Sequence, residues 1–227
     1  MFKQLFITGT HDGVGKTVVA RALLQVLGGA GKRVTGFKPV IRLAEGASPA
    51  LRSKELQKLQ NAATVQFDEG IINPVVLGEE GAMPDGEMDY RLISSQLKRI
   101  SGEVDHVIIE GSNGWKSLLS DNRPMSEWVL KERLPVVMVV GIQQGCINHA
   151  LLTAQSIIDD GLPLLGWIAN RINPCMAHYS GIIDMLSARL SSPLIGEIPY
   201  LVRPDQRDLS AYIDASIFNL DCVGSKC

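Results

Sequence analysis

Short apolar runs alternate along the chain with stretches whose apolar residues recur at helical spacing. Leu5-Phe6-Ile7 reads as a buried strand, and Val18, Val19, Ala22, Leu23 and Leu27 fall on one face of a helix that Gly28 to Gly31 ends. Arg33 to Val40 reads as a second strand running into a turn. Leu51 to Ala62 predicts a helix with Leu51, Leu56 and Leu59 on one side, Gly70 to Val75 a short extended piece, and Gly78 to Asp89 an acidic, glycine-rich loop. A helix over Tyr90 to Ser101 precedes an apolar strand, Val104 to Glu110, that closes in a carboxylate. Ser126 to Arg133 predicts a short helix. Leu134 to Val140 is almost wholly apolar, as a strand covered on both faces must be. A long helix from Cys146 to about Asp160, a strand from Leu162 to Asn170, a helix from Tyr179 to Leu190 and a last strand and turn from Leu194 to Tyr200 follow. The tail from about Leu209 reads as helical before fraying, with 220–227 expected to be disordered. Strands alternating with helices give an α/β fold: a doubly wound, mostly parallel sheet with helices on both faces and ligands at the carboxyl ends of the strands. With no internal repeat and no long linker, residues 1–227 read as one domain.

The first strand and helix enclose Thr8 to Gly15, a polar turn rich in glycine, followed by Lys16-Thr17. Strand, glycine loop, Lys-Thr and helix form the P-loop arrangement of nucleoside triphosphatases. Glycines let backbone N–H groups turn inward around phosphate oxygens, and the helix N-terminus adds partial positive charge. Gly13, Val14, Gly15, Lys16, Thr17 and Val18 are therefore expected to hold ATP. Lys16 should face solvent and the phosphates, and the Thr17 hydroxyl should ligate Mg²⁺. Thr10 stands where the strict motif has its first glycine, and Gly9 comes one earlier, so the loop is a longer variant. Glu110, closing an apolar strand, has the place of the carboxylate that orders the Mg²⁺ shell opposite a P-loop.

The 227 residues are 45% hydrophobic and 20% charged, enough for a sizeable core. A net charge of −2 implies no nucleic-acid or membrane-surface partner. No apolar run approaches the ~20 residues of a membrane span, and no signal-peptide pattern opens the chain, so a cytoplasmic protein is expected. Cys146, Cys175, Cys222 and Cys227 lack metal-ligand spacing and read as reduced thiols.

The loop Gly9-Thr10-His11-Asp12-Gly13-Val14-Gly15-Lys16-Thr17 resembles that of the dethiobiotin synthetases, G-T-D-x-x-V-G-K-T, with His11 in place of the aspartate. Lys38-Pro39-Val40 resembles the family's K-P-V-x-S-G, with Ile41-Arg42-Leu43 replacing its small residues. Glu110-Gly111-Ser112-Asn113-Gly114-Trp115 is similar to E-G-A-G-G-W, with Asn113 for a glycine; if φ is positive there, asparagine tolerates it better than most residues. Gly145 to Ala150, Gly166 to Asn170 and Gly196 to Pro199 complete a resemblance that covers nearly the whole chain.

The resemblance implies an ATP- and Mg²⁺-dependent cyclo-ligase of biotin biosynthesis. Its substrates would be 7,8-diaminononanoate, CO₂ and ATP, and it would act as a homodimer. Lys16 and Lys38 would be catalytic. Thr17, Glu55 and Glu110 would hold the metal, Glu55 standing where the family has Asp. Gly111, Ser112 and Asn113 would line the phosphate side, and Asn170, Arg171, Pro199, Tyr200 and Leu201 the purine side. Arg42 would border the diamine, and Cys146, Ile147 and Asn148 would offer a helix start to the substrate carboxylate of the other subunit. Without the resemblance, Asn148 reads as a helix cap and His149 as a surface residue. Two other readings stand beside this one: a nucleotide-binding paralogue with weak or altered activity, and a ParA-like ATPase switch. Against the switch, His11 occupies the place of that family's signature lysine.

Overall fold

The computed structural model describes residues 2–44, 46–78 and 88–218. Six strands form the central sheet: β1 (Gln4–Gly9), β2 (Val34–Phe37), β5 (His106–Gly114), β6 (Val136–Gly141), β7 (Leu164–Asn170) and β8 (Leu194–Ile198). All pairings are parallel, in the order β2-β5-β1-β6-β7-β8. The order runs outward in both directions from β1, so the carboxyl end of β1 is the point where the winding reverses and a crevice opens.

Alternation along β1 decides what covers each face. Leu5 and Ile7 join Val137, Val139 and Ile168 against helix α1 (Lys16–Gly29). Phe6 turns the other way, into a cluster with Val107, Ile109 and residues of α4 (Tyr90–Glu103) and α5 (Met125–Lys131). Met138, Val140 and Trp167 lie beneath α6 (Cys146–Asp159) and α7 (Tyr179–Arg189). Helices cover both faces, so the sheet strands are buried and their sequences nearly all apolar.

The strand expected to close in Glu110 runs on to Gly114 as β5, which places Glu110 within it, and three further stretches depart from the sequence expectation. Arg33 to Val40 is two elements, β2 and then β3 (Val40–Arg42), which leaves the main sheet to pair with β4 (Val75–Leu77). Pro39 cannot donate to a ladder, and the split falls there. Gly70 to Val75 is mostly the short helix α3 (Glu69–Ile72), followed by Asn73 and β4. The tail is a pair of 3₁₀ turns, Ser210–Tyr212 and Ala215–Phe218, rather than a continuous helix. Helix α2 (Pro49–Gln60) falls where expected, capped by Ser48 through the Ala50 N–H. Residues 79–87 of the expected loop and the tail from 219 onward lie outside the described residues. No helix among the described residues is long and apolar enough to cross a membrane.

Candidate active site

The loop between β1 and α1 turns through two left-handed glycines, Gly13 (φ 72°) and Gly15 (φ 91°), a conformation that directs successive N–H groups inward. A Cβ on Gly15 would lie 2.1 Å from Asn170 Nδ2, so no side chain fits there. Asn170, at the carboxyl end of β7, donates that Nδ2 to the Val14 carbonyl at 2.8 Å and ties the P-loop to the far half of the sheet.

Lys16 is only 6% exposed, contrary to the expectation that it faces solvent. It folds back over its own loop, with Nζ 3.3 Å from His11 O and 3.7 Å from Asp12 Oδ1. Burial lowers its pKa from the lysine norm, against the pull of Glu110 and Asp12. Glu110, 1% exposed, is the centre of the site. Its Oε1 accepts from Thr17 Oγ1 at 2.7 Å and from Lys38 Nζ at 2.8 Å. Its Oε2 is buried with no hydrogen-bond partner. Burial opposes the Lys38 charge, but Glu110, helped by Glu55 and Asp12, outweighs it and holds the Lys38 pKa above the usual value.

These groups wall a cavity of about 290 Å³ whose lining includes Asp12, Gly13, Gly15, Lys16, Thr17, Lys38, Arg42, Glu55, Glu110, Gly111, Ser112 and Asn113. Asn113 has φ 52°, the left-handed backbone for which asparagine is suited. Glu55 is on the wall, but its carboxylate pairs with Lys58. The Arg42 guanidinium donates to the Gly78 and Leu118 carbonyls and so binds β3 to the segment after β5. A hard divalent cation fits the Thr17–Glu110 corner, because Oε2 is a buried anionic oxygen lacking any donor. Among the described residues no cluster of three or more His, Cys, Asp or Glu could hold a metal, so phosphate and water oxygens would have to complete the shell.

Next to this cavity, a second of about 230 Å³ is lined by Val18, Asn170, Arg171, Ile172, Pro199, Tyr200, Leu201 and Pro204 among others. The expected purine-side residues thus converge. Arg171 contributes its stem and backbone, because its guanidinium stacks 4.7 Å over the Tyr179 ring and donates to Pro174 O. A third cavity, about 450 Å³, lies between Thr10, His11 and Asp12, Asn113 to Ser117, and the α6 residues Leu152, Thr153 and Ser156. Cys146, Ile147 and Asn148 border none of the three. Gly145 (φ 84°) is the residue that caps α6, with Cys146 buried and Asn148 exposed, so the reading of Asn148 as a cap does not hold.

Three groups escaped the sequence reading. Asp12 borders both the first and third cavities, one residue after the place where the family has its aspartate. The adjacent His11 ring instead accepts from the Gln143 amide at 2.8 Å and packs edge-on to His149. Asn73, 1% exposed, donates to Lys38 O at 2.8 Å and accepts from Arg52 Nε at 2.7 Å, which fixes the backbone beneath Lys38. Arg21, 4% exposed on α1, donates to Pro204 O and Asp205 O and anchors the turn that closes the second cavity. Only the displaced aspartate had a visible signal; Asn73 and Arg21 act across long sequence separations.

A family model described as "AAA domain" matches residues 3–206. The chain is 54% identical to ATP-dependent dethiobiotin synthetase BioD 2 of Escherichia coli (strain K12), over 94% of this chain and 93% of that protein. It is 47% identical to the BioD 2 enzyme of Yersinia pestis, over 94% and 97%. With the BioD enzyme of Vibrio vulnificus (strain YJ016) the identity is 44%, over 96% and 98%. Solved structures share the fold at much lower identity. They include the septum site-determining protein MinD with Mg-ADP from Pyrococcus horikoshii OT3 (TM-score 0.58, 17% identity, 98% of this chain and 97% of that one). The MinC:MinD complex of Aquifex aeolicus is similar at TM-score 0.60 and 17% identity, over 100% and 99%. At 17% identity the likeness to MinD is one of fold alone, whereas half-identity over nearly the full length, on a chain whose P-loop, Lys38 and Glu110 meet in one cleft, shows that the chain belongs to the ATP-dependent dethiobiotin synthetase family.

Proposed function

We propose that the chain joins CO₂ to 7,8-diaminononanoate and closes the product to the cyclic urea dethiobiotin, converting ATP to ADP and phosphate. An amine first takes up CO₂ as a carbamate. The terminal phosphoryl group of ATP then activates the carbamate oxygen, and the second amine closes the ring as phosphate leaves. Such chemistry demands alignment and neutralised charge more than a protein nucleophile. The observation that carries this reading is the convergence of Lys38 and Thr17 on one buried carboxylate, Glu110, in a cavity that Lys16 also lines and that adjoins the expected purine-side cavity.

In this reading the P-loop amides and Lys16 bind the phosphates, and Lys38 aligns carbamate and phosphate oxygens. Asn170, whose Nδ2 is committed to Val14 O, reads the base through Oδ1. Thr17, Glu110 and Glu55 would hold Mg²⁺, which would supply charge neutralisation at the phosphates. The enzyme is a cytoplasmic homodimer: Cys146, Ile147 and Asn148, which line none of their own chain's three cavities, serve the partner subunit's site. The test is conversion of diaminononanoate by the purified protein. Dethiobiotin and ADP should appear together, dependent on bicarbonate, ATP and Mg²⁺; ATP turnover without dethiobiotin would refute the assignment.

A further inference from the structure

Glu110 gathers both of its donors on one oxygen and leaves the other open. Oε1 already receives the Thr17 hydroxyl at 2.7 Å and the Lys38 ammonium at 2.8 Å. Oε2, buried and without a donor, is the oxygen a divalent cation would take. Glu110 and Lys38 alone make a neutral corner, with side chains 2% and 13% exposed. A cation on Oε2 adds two positive charges within a few ångströms of the ammonium, in a place where little water can screen them. The main chain under Lys38 cannot retreat, because its N–H donates to Ile72 O at 2.9 Å and its C=O accepts from buried Asn73 at 2.8 Å. The side chain can move, since the open cavity beside it offers two further carboxylates, Asp12 and Glu55.

We propose that Lys38 and the divalent cation compete for Glu110, so that metal loading drives the Lys38 ammonium off the carboxylate and into the cavity, where substrate oxygens are to be bound. Coupling between two ligands of one group is reciprocal: whatever the metal does to the Lys38 position, Lys38 does to metal affinity. The protein thus holds its substrate-aligning lysine in reserve until the metal is in place. The inference rests on the metal site proposed above, but its test involves no diamine. Failure of this idea would leave dethiobiotin formation untouched, and failure of dethiobiotin formation would not decide this one.

The probe is Mn²⁺, titrated by electron paramagnetic resonance into ADP-saturated protein. Lys38→Met should bind Mn²⁺ at least about tenfold more tightly than wild type, the scale expected when a close like charge is removed from a buried site. The gain should vanish when the same change is made in a Glu110→Gln background, which closes a double-mutant cycle. Unchanged or weaker Mn²⁺ binding in Lys38→Met, a gain that survives in the Glu110→Gln background, or no Mn²⁺ binding by wild type would each overturn the proposal. Should Lys38→Met fail to fold, wild-type protein decides alone. Labelling of Lys38 by an amine-reactive reagent, followed by peptide mass spectrometry, should be faster with Mg²⁺ and ADP than with ADP only. Equal or slower labelling would overturn the proposal.

Discussion

Lys16 contacts only its own loop and the cavity, so its loss should empty the phosphate site without undoing the fold. Lys16→Ala is expected to weaken ATP binding by about a hundredfold, the worth of one or two charge-assisted hydrogen bonds, with an unchanged circular dichroism spectrum; calorimetry checks it. The residue change that looked like a lost charge has a different geometry. His11 turns to Gln143 and His149, while Asp12 puts a carboxylate at the junction of two cavities. Of the carboxylates lining the first cavity, Glu55 is paired with Lys58, Glu110 with Lys38 and Asp12 with Lys16, but the Asp12 pair is the longest, at 3.7 Å, and its side chain, 82% exposed, is the most open to a cationic amine. Asp12→Asn should raise the KM for diaminononanoate by about three- to tenfold, as an exposed ion pair of ~1 kcal/mol allows, with a smaller effect on nucleotide affinity. Restoring the family residue by His11→Asp, alone or with Arg42→Ser, should not lower that KM, because His11 is held by Gln143 and Arg42 by the Gly78 and Leu118 carbonyls, while the Asp12 carboxylate is open. Steady-state kinetics on the three variants separate the cases. The motif residues were legible because a phosphate loop requires glycine, lysine and a hydroxyl at set spacing. The one-residue shift of the aspartate was not, since no spacing rule says which of two neighbours in a turn faces the cavity.

Elements were legible where periodicity ran long. The five strands β1, β5, β6, β7 and β8, together with α1, α4, α6 and α7, fall within a few residues of their expected places. Misreadings cluster where an element is three or four residues long, as at β3, α3 and β4, because no period can be established over one turn. That small region matters: its Asn73 joins Lys38, Arg52 and β4. Asn73→Ala removes the donor to the Lys38 carbonyl and the acceptor of Arg52 Nε, while Arg52 Nη2 keeps the Asn73 and Glu69 carbonyls, and should cost about 2 kcal/mol in urea unfolding, with kcat falling more than nucleotide affinity. At the opposite end of β5, His106 is buried against Phe2, with Nδ1 2.7 Å from Phe2 O. Burial holds its pKa below the ordinary value of 6.5, against the pull of that carbonyl. The unfolded chain therefore takes up a proton near pH 6.5 that the folded chain refuses until lower pH, so stability declines as pH falls through this window. Denaturation midpoints across the window should flatten in His106→Gln.

At the scale of the whole molecule, α6 carries Asn148, His149 and Leu152 (63% exposed) along one surface beside the third cavity, a face suited to a second copy. Sedimentation should find a dimer at micromolar concentration with ATP and Mg²⁺ present; a monomer would count against the shared site. Strand order has a consequence for the chain as it is made. β1 is synthesised first, yet its sheet neighbours are β5 and β6, and β2 can join only through β5, so neither early strand has a partner before residue 106 has emerged. The nucleotide cleft is later still. Asn170 reaches back 156 residues to brace Val14, and Arg21 waits for Pro204 and Asp205, 183 and 184 residues on. A chain truncated before β8 would carry an intact P-loop motif but only half of the second cavity's wall, so a ligand that fills both cavities would stabilise it less. The two adjoining cavities are in that sense assembled from both ends of the sheet, and the second is not complete until β8 and the turn after it have docked.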